Sequence, residues 1–234
     1  MDLRNARALV TGGSSGIGYA TAQLLRDKGA AVAICGRKAD ALDEAASELG
    51  ALGIVADVSK EDDVVRMVAR VIVELGGYDV LINNAGFGHW ASLAETKSAD
   101  FRRVWETNVL GAMMVARESA RHFISQKRGN IVNIASTAGQ RGYENGTSYV
   151  STKFALRGMT ECWRAELRSY NIRVMHVNPS EVQTEFFEAA GRPRSKNPTK
   201  LDAGDIAHTI CAMLEMEDRG FITEATVWAT NPSG

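Results

Sequence analysis

No apolar run in this chain approaches the roughly 18 residues that cross a bilayer. Its first residues, Met1-Asp2-Leu3-Arg4-Asn5, lack the apolar core of a signal peptide. The expectation is a soluble, cytoplasmic protein with no membrane partner. Charge of one sign is also missing: 27 basic residues stand against 28 acidic ones, which gives no reason to expect nucleic acid as a partner. Cysteine is scarce. Cys35, Cys162 and Cys211 are scattered without the Cys-x-x-Cys spacing of zinc or redox sites, and His89, His122, His176 and His208 show no ligand spacing. No metal is expected, and the cysteines read as small core residues. Internal repeats and an interdomain linker are absent too, so 234 residues with 45% apolar content predict a single domain, 1–234, around one sizeable core.

What the chain does have is alternation. Short β-branched runs fall at Ala8 to Val10, Ala31 to Cys35, Gly53 to Ala56, Val80 to Ile82, Asn130 to Ala135, Arg173 to Asn178 and Thr226 to Trp228. Helical patterns separate them, as in Val64, Val65, Val68, Val71, Ile72 and Leu75, which recur at i, i+3, i+4 spacing. The alternation predicts an α/β fold with a parallel sheet covered by helices on both faces. One composition shift, Gly191 to Lys200, is rich in Pro, Arg, Lys and Ser and suggests a mobile substrate loop over about 185–200.

Chemistry concentrates in a few places. Tyr149 and Lys153 are separated by one helical turn and share a helix face, where a nearby cation lowers a phenol's pKa and equips it as a general acid/base. An accidental spacing with a solvated lysine is the alternative for the pair alone. Near the N-terminus, the apolar run Ala8-Leu9-Val10 leads into Thr11-Gly12-Gly13-Ser14-Ser15-Gly16-Ile17-Gly18 and then a helical pattern. A strand, a glycine-rich turn and a helix start are the parts of a phosphate cradle. Further on come Asn83-Asn84-Ala85-Gly86, Asn108 within a helical segment, and Ser136 after Ile131-Val132-Asn133-Ile134.

Taken in order, from Thr11 to about Thr184, these motifs closely resemble the short-chain dehydrogenase/reductase family in its compact single-domain form. The resemblance implies a Rossmann-type, doubly wound fold on a seven-stranded parallel sheet. It also implies hydride transfer between a nicotinamide cofactor and a carbonyl or secondary alcohol substrate. Ser136 would polarise the carbonyl, Tyr149 would exchange the proton, Lys153 would tune Tyr149, both Tyr149 and Lys153 would hydrogen-bond the nicotinamide ribose, and Asn108 would anchor a water that links Lys153 to solvent. Gly12, Ser14, Ser15, Gly16, Ile17 and Gly18 would cradle the cofactor phosphates. Asp57 and Val58 would meet the adenine, and Asn84, Ala85 and Gly86 its ribose. Pro179, Ser180, Val182 and Thr184 would lie by the nicotinamide, with Ser180 standing where the family usually has glycine. At the second strand's end, where NAD enzymes place a carboxylate, the chain has Arg37 and Lys38. A guanidinium there pairs with a 2′-phosphate, so NADP(H) is favoured over NAD(H).

For the substrate pocket the expected residues are His89, Trp90, Thr137, Ala138, Gln140 and Tyr143, with Phe87 and the loop from Glu185 to Pro198. Arg192, Arg194 and Lys196 raise 3-oxoacyl-carrier reduction as an alternative, although the chain lacks the glycine-rich C-terminal segment common in carrier-protein reductases. A non-catalytic NADP sensor on the same fold is a second alternative. A third, of another class, is a serine hydrolase, because Gly12-Gly13-Ser14-Ser15-Gly16 satisfies Gly-x-Ser-x-Gly. The helices around Phe101 to Phe123 and Tyr149 to Leu167 carry apolar residues on more than one face, and in the family such helices pair across a twofold axis. A homodimer or homotetramer is expected.

Overall fold

A computed structural model describes residues 1–186, 197 and 199–231. Its strands are β1 (Arg7–Thr11), β2 (Ala31–Gly36), β3 (Leu52–Val55), β4 (Val80–Asn83), β5 (Gly129–Ile134), β6 (Ile172–Pro179), β7 (Val182–Gln183), β8 (Leu201–Asp202) and β9 (Glu224–Val227). Seven of them form one parallel sheet in the order β3-β2-β1-β4-β5-β6-β9. The short β7 and β8 pair separately and bring the chain on either side of residues 184–200 together. The helices are α1 (Gly16–Asp27), α2 (Ala39–Leu49), α3 (Glu61–Glu74), α4 (Ser98–Trp105), α5 (Ala112–Gln126), α6 (Thr147–Leu167) and α7 (Ala203–Glu215).

The strands are apolar on both sides because each side meets a helix layer. In β1, Ala8 and Val10 face a core shared with Ala22 and Leu25 of α1, Leu42 of α2 and Ile210 of α7, while Leu9 faces Met67 of α3 and Val115 of α5. The same alternation places Val132 on the first side and Ile131 on the second, with Met175 and Val174 following suit in β6. Side chains of period two therefore feed two cores across one sheet.

Strand β3 starts at Leu52 and β9 at Glu224, one and two residues before the expected positions. Leu52 pairs with Ala33 and Glu224 with His176, so the ladder of the neighbouring strand, rather than the apolar run, sets these ends. Of the expected loop, Glu185, Phe186, Asn197, Thr199 and Lys200 are described; Arg192, Arg194 and Lys196 lie outside the described residues.

Strand order reverses between β1 and β4. At such a switch point the loops beyond the carboxyl ends of adjacent strands part, and a crevice opens.

Candidate active site

The crevice encloses about 750 Å³, a size suited to a small-molecule site. Its floor is the turn between β1 and α1. Gly16 takes a φ of +54°, which disfavours other residues. Gly18 has no room for a side chain, since an added Cβ would lie 2.2 Å from the Gly12 carbonyl oxygen. Ser15 precedes α1 in an extended conformation without capping it through its side chain, and no acidic residue stands in the first turn. The amides and positive dipole end of α1 are left for an anion.

A second loop is stitched to this one. Asn84 Nδ2 donates to the carbonyls of Thr11 and Gly12 (2.9 and 3.1 Å), and the Thr11 hydroxyl accepts from the amides of Asn84 and Ala85, both at 2.9 Å. Below it, buried Asn83 donates to the Ala112 carbonyl and to Asn133 (2.9 and 3.2 Å), and Asn133 donates to Thr160 of α6 (2.8 Å). Thr11 carries no mark of this role in the sequence, because a hydroxyl at a strand end gives no signal of what it bonds.

Ser136 follows β5, and its hydroxyl accepts from the Ala138 amide at 3.1 Å. Tyr149 and Lys153 sit on α6 and face the same crevice. Lys153 is only 7% exposed; its Nζ donates to the Ile134 carbonyl at 2.8 Å and lies 5.5 Å from the centroid of the Tyr149 ring. Burial pushes the Lys153 ammonium down to about 8. Burial also raises the Tyr149 phenol above its ordinary value, opposed by a hydrogen bond with Ser136 and reinforced by Tyr143. The direction is opposite to the lowering expected from Lys153: in the chain by itself the cost of a desolvated phenolate is the largest influence on Tyr149.

Asn108 lies in a π-helical turn, Glu106–Gly111, between α4 and α5. Its Oδ1 accepts from the Phe87 amide (3.0 Å), and its Nδ2 donates to the Phe87 carbonyl (2.9 Å) and to Thr152 (3.2 Å). Gly86 permits this approach, since an added Cβ would stand 3.0 Å from Oδ1.

At the other end of the crevice are Ser14, Ile17, Arg37, Lys38, Asp57 and Val58. Arg37 is exposed and makes no hydrogen bond among the described residues. Burial works to raise the Asp57 carboxyl, but hydrogen bonds from Ser59 and the charges of Arg37 and Lys60 hold it below its usual range. Pro179, Ser180, Val182 and Thr184 line the side opposite Asn84 to Gly86, and Thr184 packs at the spot a Gly16 side chain would need. Ser180 keeps an ordinary backbone, outside the left-handed region, and its amide donates to Val227 at 2.9 Å. A glycine is not required there.

Trp90, Thr137, Ala138 and Tyr143 line the remaining part, joined by Phe87 and Phe186. Two expected residues do not. The Gln140 amide is drawn away to Glu224 and Thr226 on β9 (2.9 and 3.2 Å), and His89 turns toward Asp100 of α4 at 3.6 Å. Arg141 and Glu144 line the mouth instead, unsignalled in sequence because charged loop residues are ordinary surface. Among the described residues no group of three or more His, Cys, Asp or Glu could hold a metal ion, and no helix is long and apolar enough to cross a membrane.

The chain is similar to known proteins. Residues 6–195 match the model of the family described as short chain dehydrogenase. The gluconate 5-dehydrogenase of Gluconobacter oxydans is 36% identical over 191 residues, covering 80% of this chain and 75% of that protein. The Uncharacterized oxidoreductase YxnA of Bacillus subtilis is 33% identical over 204 residues, and although 84% of this chain is covered, the match spans only 57% of that protein. An alcohol dehydrogenase from the archaeon Thermococcus sibiricus, solved in complex with 5-hydroxy-NADP, superposes with a TM-score of 0.89 at 27% identity over 99% of this chain and all of that one. A Rossmann-like sheet of seven parallel strands and these matches define an oxidoreductase. The chain belongs to the short-chain dehydrogenase/reductase family.

Proposed function

We propose that this chain is an NADP(H)-dependent oxidoreductase acting between a carbonyl compound and its secondary alcohol, with Tyr149 as the general acid/base. The observation that carries it is the convergence of Ser136, Tyr149 and Lys153 on one crevice whose far end holds the guanidinium of Arg37. The residues fit such a cofactor. Gly12 and Gly16 adopt left-handed backbone where the α1 amides face the crevice, and Arg37 supplies a cation suited to a 2′-phosphate. That the Thermococcus sibiricus neighbour was solved with an NADP analogue supports the same choice.

When bound, the cofactor supplies or accepts the hydride. The residues handle oxygen and proton. A carbonyl gaining hydride builds negative charge on its oxygen, and hydroxyls of Ser136 and Tyr149 directed at that oxygen stabilise the charge as it develops. Tyr149 then gives its proton to the alkoxide, leaving an alcohol and a phenolate. A phenol whose pKa is raised by burial is fully protonated before that step. Lys153 stands ready to balance the phenolate, and its own pKa near 8 lets it pass a proton on at ordinary pH. We assign Asn108 a supporting part in that relay, through the π turn that its bonds to Phe87 and Thr152 hold in place.

Against a hydrolase reading, no histidine lines the crevice beside Ser14 among the described residues. A dimer or larger homo-oligomer is also proposed, supported by Leu110 and Phe154, which are 44% and 46% exposed on the surface formed by the π turn and α6. Tyr149→Phe tests the central role. NADPH-dependent ketone reduction should fall by at least about 100-fold while NADPH affinity, read by tryptophan quenching, stays within about twofold. Turnover at the wild-type rate would overturn the assignment, and an equally inactive wild type that binds NADPH would point to a sensor.

A further inference from the structure

We propose that Trp90, laid across Gly88, makes the site selective for uncharged ketones bearing an aromatic or other flat ring; this rests on the hydride-transfer reading above. The Trp90 and Tyr149 ring centroids are 5.6 Å apart at 38°. Phe186 meets Trp90 edge-on at 5.9 Å and 88°, and lies 5.5 Å from Tyr149. Trp90 Nε1 donates to the Tyr143 hydroxyl at 3.2 Å, which fixes the indole in its plane. A carbonyl oxygen within reach of the Tyr149 hydroxyl therefore brings its substituents against two aromatic walls. Offset and edge-on contacts reward a flat ring over a flexible alkyl chain of similar size, which also loses more conformational freedom on binding.

Gly88 determines where the indole lies. A Cβ added there would sit 2.1 Å from Trp90 Cη2 and 2.5 Å from Cζ3, so the indole occupies the space a side chain would take. Because the clash falls on the far end of a side chain, alanine at 88 displaces the indole and spares the backbone. Charge adds a second filter. Among the described residues at this end, the carboxylates of Glu144 and Glu185 stand beside the guanidinium of Arg141, which is already spread over the Trp228 ring at 5.3 Å, while Glu181 is ion-paired with Lys200 at 3.1 Å. A carboxylate on the substrate meets charge of its own sign.

The test measures NADPH-dependent reduction of acetophenone, 2-octanone and 4-acetylbenzoate by the wild type, Trp90→Ala, Trp90→Phe and Gly88→Ala, with NADPH affinity and thermal unfolding recorded for each. The wild type should prefer acetophenone to 2-octanone and to 4-acetylbenzoate, each by about tenfold in kcat/KM. Trp90→Ala and Gly88→Ala should each raise KM for acetophenone by about tenfold and that for 2-octanone by no more than about threefold, shrinking the preference for acetophenone at least threefold, and leave NADPH affinity unchanged, while Trp90→Phe restores most of the preference. Equal use of acetophenone and 2-octanone, or losses in the variants that strike both ketones alike, would overturn the ring selectivity and leave the hydride-transfer reading standing. Tight NADPH binding with no reduction of any of the three ketones overturns both.

Discussion

Lys153 is a buried cation whose Nζ has, among the described residues, only the Ile134 carbonyl as a hydrogen-bond partner, and the fold is less stable for holding it. Its pKa falls from an ordinary 10.5 to about 8 on folding, so between those values the unfolded chain binds more protons than the folded one. Its contribution to stability therefore rises with pH from about 8 toward 10.5 and is most unfavourable below 8. Lys153→Met should raise the melting temperature of the cofactor-free protein at pH 7 by a few degrees and lose that gain as pH approaches 10, while ketone reduction is abolished. A lower melting temperature at pH 7 would contradict this. Such a trade is expected where a site keeps a destabilised group for its chemistry. At this scale the sequence revealed which groups meet, because Ser136, Tyr149 and Lys153 form a spaced motif. Their protonation was illegible, since spacing carries no information about burial. His89 and Gln140 were misplaced for a related reason: each is claimed by a carboxylate, Asp100 or Glu224, distant in sequence.

Among the elements, the turn between β1 and α1 is the least tolerant. Gly18→Ala would press a methyl group against the Gly12 carbonyl at 2.2 Å and Asn84 Nδ2 at 2.6 Å, forcing apart the two loops that Asn84 joins. The expected result is a loss of about 1–3 kcal/mol of stability, as for overpacked sites, with NADPH affinity reduced at least tenfold; calorimetry and tryptophan quenching measure both. Unchanged affinity would show that the turn is not the cradle. The apolar runs made the strands legible, but not their ends at Leu52 and Glu224, which pairing decides. The π turn was equally hidden, because Glu106 to Gly111 reads as ordinary helix and the turn is held by bonds from Asn108 to Phe87, a residue in another loop.

Across the whole molecule, one sheet separates two cores, and the reversal of strand order between β1 and β4 puts the glycine turn, Asn84 and the end of β5 around one crevice. That architecture followed from alternation and motif order. What partners the outer faces did not, since apolar residues expected there divide: Met114 is buried in the chain's own core, whereas Phe154 is exposed. Light scattering should give a dimer or tetramer at micromolar concentration, shifted toward monomer by Phe154→Glu; a monodisperse wild-type monomer would refute the oligomer. The claim on which the rest depends is that this crevice holds a phosphorylated nicotinamide dinucleotide at Arg37. Titrating the purified protein with NADPH and NADH side by side, following tryptophan quenching, tests it directly. NADPH should bind at least about tenfold tighter, or ~1.4 kcal/mol; tighter binding of NADH, or binding of neither, would contradict a 2′-phosphate site at Arg37.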